Sequence, residues 1–514
     1  MKRFFTLLLA TFMLVSTFTM FGCADKSTSN DVLRVCNCED YIDEDLLSEF
    51  TEETGIEVVY STYGTNENLY NELVINPNSY DLVVPSEYMI EKLAVEGRIQ
   101  PLTNPEYESY LVDYNKNISP FIKSKLQSIE VNSGKYGEDN LSLSEFMVGY
   151  MWGTMGWVYN RDNVSEDDVK SWYGPFENQS LKKKITIKDA VRDSYLVGLA
   201  MVYEQDLYDT NSNQTITQIL NNVEPDAIKK VGEKLNSLKP MLYGFEVDSG
   251  KNDIVLGRID AYVAWSGDAA YAIDVAAGEV EDEDGSFVED KNLRDLSYSI
   301  PEEGSNIWFD GFVMPSGSTN YDAAYKFLEF ISRPENVYRN MNYTGYTSMV
   351  AGDGTEKIEI ENENGGVDEL TLFEAVVLDW FDESEDQDPQ TVYEKVDLSY
   401  FFGNGDFTVT VSEEGYGRLI AQYPTENIVN RCAVMSYFDS ETLMRINDMW
   451  EVVKGETFPT WLIILIAVFV VLLAVVVVAY RNKEKIKWLK LPERKTTLAE
   501  RKGYKIVKVE KIDV

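Results

Sequence analysis

From Val32 onward the apolar positions change period in a regular order. "VLRVC" is the dense apolar run of a strand, "DEDLLSEFTEETG" has helical spacing with Asp43 near its start and Gly55 at its end, and "IEVVYS" is a second strand. "NENLYNELVI" predicts a helix, "YDLVVP" a third strand, and "SEYMIEKLAVEG" a third helix closed by Gly97. This β-α-β-α-β-α succession predicts a parallel, doubly wound α/β sheet. Such sheets bind ligands beyond the carboxyl ends of their strands. "NCEDY" (37–41) and "PSEY" (85–88) fall there, although Ser86 also fits a helix N-cap.

The alternation resumes farther along. "KKITIKDAVRDSYLVGLAMVYEQ" is a strand leading into a helix, with Asp189 and Asp193 near the junction. In "GRIDAYVAWSGDAAYAIDVAAG" the alternating Ile259, Ala261, Val263 and Trp265 predict a strand, Ser266-Gly267-Asp268 a turn and cap, and the Ala-rich remainder a helix. "NYDAAYKFLEFIS" is an amphipathic helix stopped at Arg333-Pro334. Three acidic, Gly-containing insertions, starting at 278, 351 and 403, are expected to be solvated loops or small hairpins.

"SNIWFDGFVMP" (305–315) places Trp308, Phe309 and Asp310 together inside what is otherwise a buried strand. Trp265 with Asp268, and Tyr88 near Glu87, repeat the pairing of ring and carboxylate. An alkyl ammonium needs a carboxylate at its charged end, its stem prefers an apolar face, and an aromatic ring attracts the cation as well. Taken singly, each Trp is equally a core residue and each Asp a turn or cap; three pairs at strand ends favour a cation groove.

Composition narrows the chemistry. The chain has 46 Lys and Arg against 87 Asp and Glu, a net charge of -41, which excludes nucleic acid as a partner and suits a cationic one. It contains no histidine, which removes the usual general base, the usual zinc ligand and every Ser-His or Cys-His pair. A binding protein is therefore expected rather than an enzyme, with no cofactor and no metal.

Both ends carry apolar segments. Residues 1–23, "MKRFFTLLLATFMLVSTFTMFGC", have the layout of an export signal, and Cys23 is the candidate acylated cysteine of a lipoprotein. The uncharged run at 460–480 has 21 residues, about 31 Å as a helix, which predicts one transmembrane span. The tail at 481–514 holds 12 Lys or Arg against 5 Asp or Glu, which places it in the cytoplasm and residues 32–459 outside.

In this order the segments resemble the substrate-binding proteins of bacterial spermidine/putrescine ABC transporters. The likeness rests on "EDYIDEDLLSEFTEETGIEVVYSTYGTNENLYNEL", "YDLVVPSEYMIEKLAVEGRIQPL", "MWGTMGWVYN", "VRDS", "AWSGDA", "WFDGFVMP", "FISRPEN" and "GYTS". It implies a two-lobed, periplasmic-binding-protein-like clamp over 32–455, with lobe 1 at about 32–150 and 311–355 and lobe 2 at about 151–310 and 356–455. The clamp would hold a polyamine in its cleft and deliver it to permease subunits driven by a cytoplasmic ATPase. By motif, the resemblance implies ligand contacts from Asp40, Ser86, Tyr88, Asp193, Trp265, Asp268, Trp308, Asp310 and Tyr346. The family's tryptophan in the first loop is Cys38 here, and the C-terminal span is unusual for the family.

Cys38 and Cys432 both align near the cleft, so a disulfide between them is expected outside the cytoplasm, with Cys36 as the competing partner and free thiols as the alternative. Two rival functions share these features: a membrane-anchored sensor, and a clamp for another organic cation or an amino acid.

Overall fold

The computed structural model describes residues 32–455 except 104–107, 132–140, 210–211, 278, 282–286, 290–293, 362–365, 379–380, 382–388 and 390. The export signal with Cys23, the apolar run at 460–480 and the tail at 481–514 lie outside the described residues. Among the described residues no helix is long and apolar enough to cross a membrane.

The amino-terminal elements form as the periodicity predicts. They are β1 (Val32–Cys38), α1 (Asp45–Thr54), β2 (Glu57–Tyr63), α2 (Asn66–Ile75), β3 (Leu82–Val83) and α3 (Glu87–Val95). The three strands are parallel in the order β2-β1-β3. Such a sheet needs covering helices, and α1 supplies Leu46, Leu47 and Phe50, whose ring meets Phe327 edge-on at 5.2 Å. Gly55 ends α1 in the left-handed conformation, φ 73°, that favours glycine. Because β2 is laid on one side of β1 and β3 on the other, the connections after β1 and β3 lead away to opposite sides, and such a switch point leaves a crevice between them.

The second sheet is built on β4 (Val148–Asn160), in which all thirteen residues are buried. Around it stand β5 (Ile185–Lys188) with its following helix α4 (Val191–Val202), β6 (Leu242–Glu246), β7 (Ala261–Trp265) followed by α5 (Ser266–Ala277), β8 (Leu296–Ser299) and β9 (Ser305–Phe312). After α6 (Tyr321–Ile331) and α7 (Pro334–Thr344) come the short β10 (Thr347–Ser348) and, much later, β11 (Cys432–Ala433). The eight strands run β11-β9-β4-β7-β5-β6, with β8 and β10 also on β4. The first half of β4 pairs with β9 and β10, the second half with β7 and β8, all antiparallel. The second sheet is therefore mixed, unlike the parallel amino-terminal sheet. The cause is the long central strand, whose two edges recruit neighbours in the opposite direction.

One smaller expectation changes, and the hairpin alternative for the acidic insertions is met. Ser266-Gly267-Asp268 is not a separate turn, because α5 already begins at Ser266 and carries Asp268 in its first turn. The acidic insertions contain paired strands, Lys357–Glu361 with Val367–Thr371 and Tyr393–Asp397 with Thr408–Ser412.

The expected Cys38–Cys432 disulfide is absent, and Cys36, Cys38 and Cys432 are all free thiols. Cys38 ends β1 within electrostatic reach of Asp310, whereas Cys432 pairs with Ser305. Five residues of extended strand separate Ser305 from Asp310, about 16 Å at the usual rise per residue. A disulfide requires Cα atoms within about 7 Å.

Candidate functional site

β9 runs from the second sheet to the crevice of the first. Val313, just past its end, pairs with Val83 of β3, and Ser86 pairs with Asp310. Strand geometry puts Trp308 and Asp310 on one face and Phe309, which is fully buried, on the other. The register between β9 and β4 shifts between Asp310 and Gly311, leaving Tyr150 as the extra residue on β4. Such a bulge twists the pair locally and re-aims the side chains beside it. Asp310 is thereby presented to the loops that follow β1 and β3.

Its carboxylate meets hydroxyls and rings, but no cation among the described residues bridges it. The Tyr41 hydroxyl donates to Asp310 Oδ2 at 2.8 Å. Oδ1 is buried with no hydrogen-bond donor in place, the Ser86 hydroxyl lying close enough only to temper the charge. Burial pushes the Asp310 carboxyl up to about 6, against the opposing effects of Ser86 and Tyr41 and with help from the negative Asp193. Tyr346 stands edge-on to Tyr41 at 5.0 Å and to Trp308 at 5.7 Å. Trp308 is anchored by its indole N–H on the Thr154 carbonyl at 3.3 Å.

Tyr346 joins this group to a second one, because its hydroxyl donates to Asp268 Oδ1 at 3.0 Å. Asp268 sits in the first turn of α5, where a carboxylate is favoured by the helix dipole. Trp265, at the end of β7, donates its indole N–H to Asp193 Oδ1 at 3.4 Å. Asp193 lies in the first turn of α4 and is also pushed up to about 6 by burial, against the Trp265 N–H and the charges of Lys188 and Arg192.

The structure thus brings Ser86, Asp193, Trp265, Asp268, Trp308, Asp310 and Tyr346 into one cluster, with Asp193, Asp268 and Trp308 buried and the others half-buried. Tyr88 stands one contact away: its hydroxyl donates to Glu67 at 3.2 Å and the Arg192 guanidinium lies 4.8 Å from its ring centre. Asp40 is exposed at the rim in left-handed backbone, φ 51°, and acts on Lys251 through charge. Ser86 holds the N-cap position of α3 without capping it with its hydroxyl; instead the Asn66 amide donates to that hydroxyl at 3.0 Å. A cavity of about 310 Å³ between Asp274, Met341, Phe381 and Arg418 contains none of the cluster's carboxylates. Its one acid, Asp274, is already paired with Arg418, so the chemistry stays with the cluster.

Two residues in or beside the cluster, Tyr41 and Lys188, were not singled out in the sequence, and Glu87 was noted there only as the acid near Tyr88. Tyr41 lies inside "NCEDY", beside the acid that drew attention. Lys188 ends β5, a position where strand-end side chains face ligands. Glu87 opens α3 fully buried, accepting the Phe309 N–H at 2.9 Å. Burial pushes its carboxyl up to about 8 from an ordinary 4.5, opposed by the Phe309 N–H and aided by Asp310. Between those two values the folded protein holds a proton that the unfolded chain has lost, so stability falls as pH rises through that window. Glu87→Gln is expected to flatten the fall, by at least about 1 kcal/mol between pH 5 and 8. Urea midpoints across that range measure it, and equal slopes in both proteins would show Glu87 ionised at neutral pH.

A crevice at the carboxyl ends of parallel strands, crossed by strands of a second sheet and lined by rings and acids, defines a periplasmic-binding-protein-like fold. Residues 45–352 match the family model for bacterial extracellular solute-binding proteins, and the chain belongs to that family. It is 30% identical over 342 residues to the putrescine-binding periplasmic protein SpuD of Pseudomonas aeruginosa, covering 65% of this chain and 82% of that one. It is 29% identical over 321 residues to the putrescine-binding periplasmic protein PotF of Escherichia coli, covering 62% and 77%. Among solved structures, the spermidine/putrescine ABC transporter substrate-binding protein PotD of Streptococcus pneumoniae shares the fold with a TM-score of 0.54 at 24% identity, over 83% of this chain and 100% of that one. These relatives are substrate-binding proteins rather than enzymes.

Proposed function

We propose that this protein is the extracytoplasmic substrate-binding component of a polyamine ABC transporter. It captures its ligand in the cluster around Asp310 and presents it to the permease subunits, which a cytoplasmic ATPase drives. The observation that carries this reading is the half-buried Asp310, whose carboxylate has one buried, unpartnered oxygen, is free of a bridging cation, and is set beside Tyr41, Trp308 and Tyr346. A buried carboxylate without a cation is costly, and an alkyl ammonium supplies the missing charge while its stem lies along the rings. The names of the relatives, several of them putrescine- or spermidine-binding, support the same choice.

In this reading two lobes, hinged where the chain passes near residues 150 and 311, close on the ligand, and closure is what the permease senses. The apolar run at 460–480 is proposed as an anchor, with the basic tail in the cytoplasm. The short connection from residue 455 keeps the binding body near its permease and raises its effective concentration. Calorimetric titration with putrescine, spermidine, an amino acid mixture and simple sugars is expected to show micromolar or tighter binding of at least one polyamine and none of the others. Binding of an amino acid alone would replace the polyamine reading.

A further inference from the structure

Trp265 and Asp268 form a ring-and-carboxylate pair of the kind that would take an amine, yet an ammonium already occupies it. Lys188 Nζ lies 3.2 Å from Asp268 Oδ2, 3.8 Å from Glu246 Oε1 and 4.0 Å from the centre of the Trp265 ring, and it donates to the Val247 carbonyl at 2.8 Å. Only 1% of Lys188 is exposed. We propose that Lys188 is the specificity-determining residue of the cleft: its ammonium stands where a further ligand ammonium would bind, and so limits the ligand to a diamine. The inference rests on the polyamine reading above.

A lysine side chain is a four-carbon stem ending in a primary ammonium, chemically the same as one end of an alkyl polyamine. Exchanging it for a ligand ammonium would gain no new contact and would leave a buried lysine without its partners. Of the three aspartates in the cluster, Asp268 is thus paired from within, by Lys188 at its Oδ2 and, more distantly, by Lys251, whose Nζ lies 4.0 Å from Oδ1. Among the cluster's aspartates only Asp193 and Asp310 have no cation within ion-pair distance among the described residues, and Glu87, which has none either, is kept protonated by burial, its carboxyl pushed up to about 8, which leaves places for two ligand ammoniums. A triamine would bring a third ammonium to a cleft with no buried, ionised carboxylate left for it.

The test titrates the full chain and Lys188→Met, which keeps the stem and removes the charge, with putrescine and spermidine. The wild type is expected to bind the diamine more tightly. Lys188→Met is expected to shift the spermidine-to-putrescine affinity ratio at least tenfold toward spermidine. Because Lys188→Met leaves two buried acids facing each other, Lys188→Met with Glu246→Gln serves as a second variant, with the same shift expected. An unchanged ratio in a folded variant, or a wild type that prefers spermidine, overturns the role of Lys188. If the wild type binds neither amine while the variants gain spermidine, the role stands and the polyamine reading of the natural protein fails. If no protein binds either amine, both fail.

Discussion

Asp310→Asn is expected to weaken diamine binding by about thirtyfold to several thousandfold while leaving the fold intact. The substitution keeps the shape and the hydrogen bond from the Tyr41 hydroxyl but removes the charge. Truncating one partner of a buried, hydrogen-bonded charge pair typically costs about 2 to 5 kcal/mol, much of it from leaving the other charge unpaired. The free protein should lose nothing and could gain, because it no longer buries a carboxylate that burial has pushed up to about 6. Wild-type affinity is also expected to drop as pH falls through about 6, where Asp310 and Asp193 take up protons that compete with the ligand. Calorimetry on both proteins from pH 5 to 8 tests this. Equal affinities at pH 8 would remove Asp310 from the site.

Gly267→Ala is expected to disable the site through Tyr346 without touching a charged group. A β-carbon at Gly267 would stand 2.3 to 2.4 Å from carbons of the Tyr346 ring, far inside contact distance. The ring cannot simply swing aside, since its hydroxyl is held by Asp268 and its faces and edges meet Tyr41 and Trp308. Either the first turn of α5 or the ring must move, and overpacking of this kind costs about 1 to 3 kcal/mol. Both the thermal midpoint and amine affinity should fall, affinity by at least tenfold. Gly244→Ala is the control, because a β-carbon there meets nothing within 4 Å. If the two variants behave alike, Tyr346 is not part of the binding surface.

Local pattern was enough for much of this molecule. The amino-terminal β/α alternation is written in the spacing of Leu46, Leu47 and Phe50 and in the strand runs around them, and the parallel sheet follows from it. The shared face of Trp308 and Asp310 follows from the period of two in a strand, so a ring and an acid could be placed together before any contact was known. The motif order was sufficient to reach the family.

Other features depend on which strands become neighbours. Tyr41 reaches Asp310 across 269 residues of chain, and Lys188 reaches Asp268 across 80. The bulge at Asp310 exists only because β9 lies against β4. Cys38 and Cys432 stay apart because strand pairing holds Cys432 at the start of β9 while Cys38, on β1, lies near Asp310 toward its other end. By itself the sequence determined the early elements, the faces their side chains take and the acid–aromatic chemistry at strand ends, since these follow from periods of two and about 3.6 within short segments. Only the tertiary structure decided which acid has a cation beside it and which has none among the described residues, because a buried charge is settled by partners brought together from distant parts of the chain.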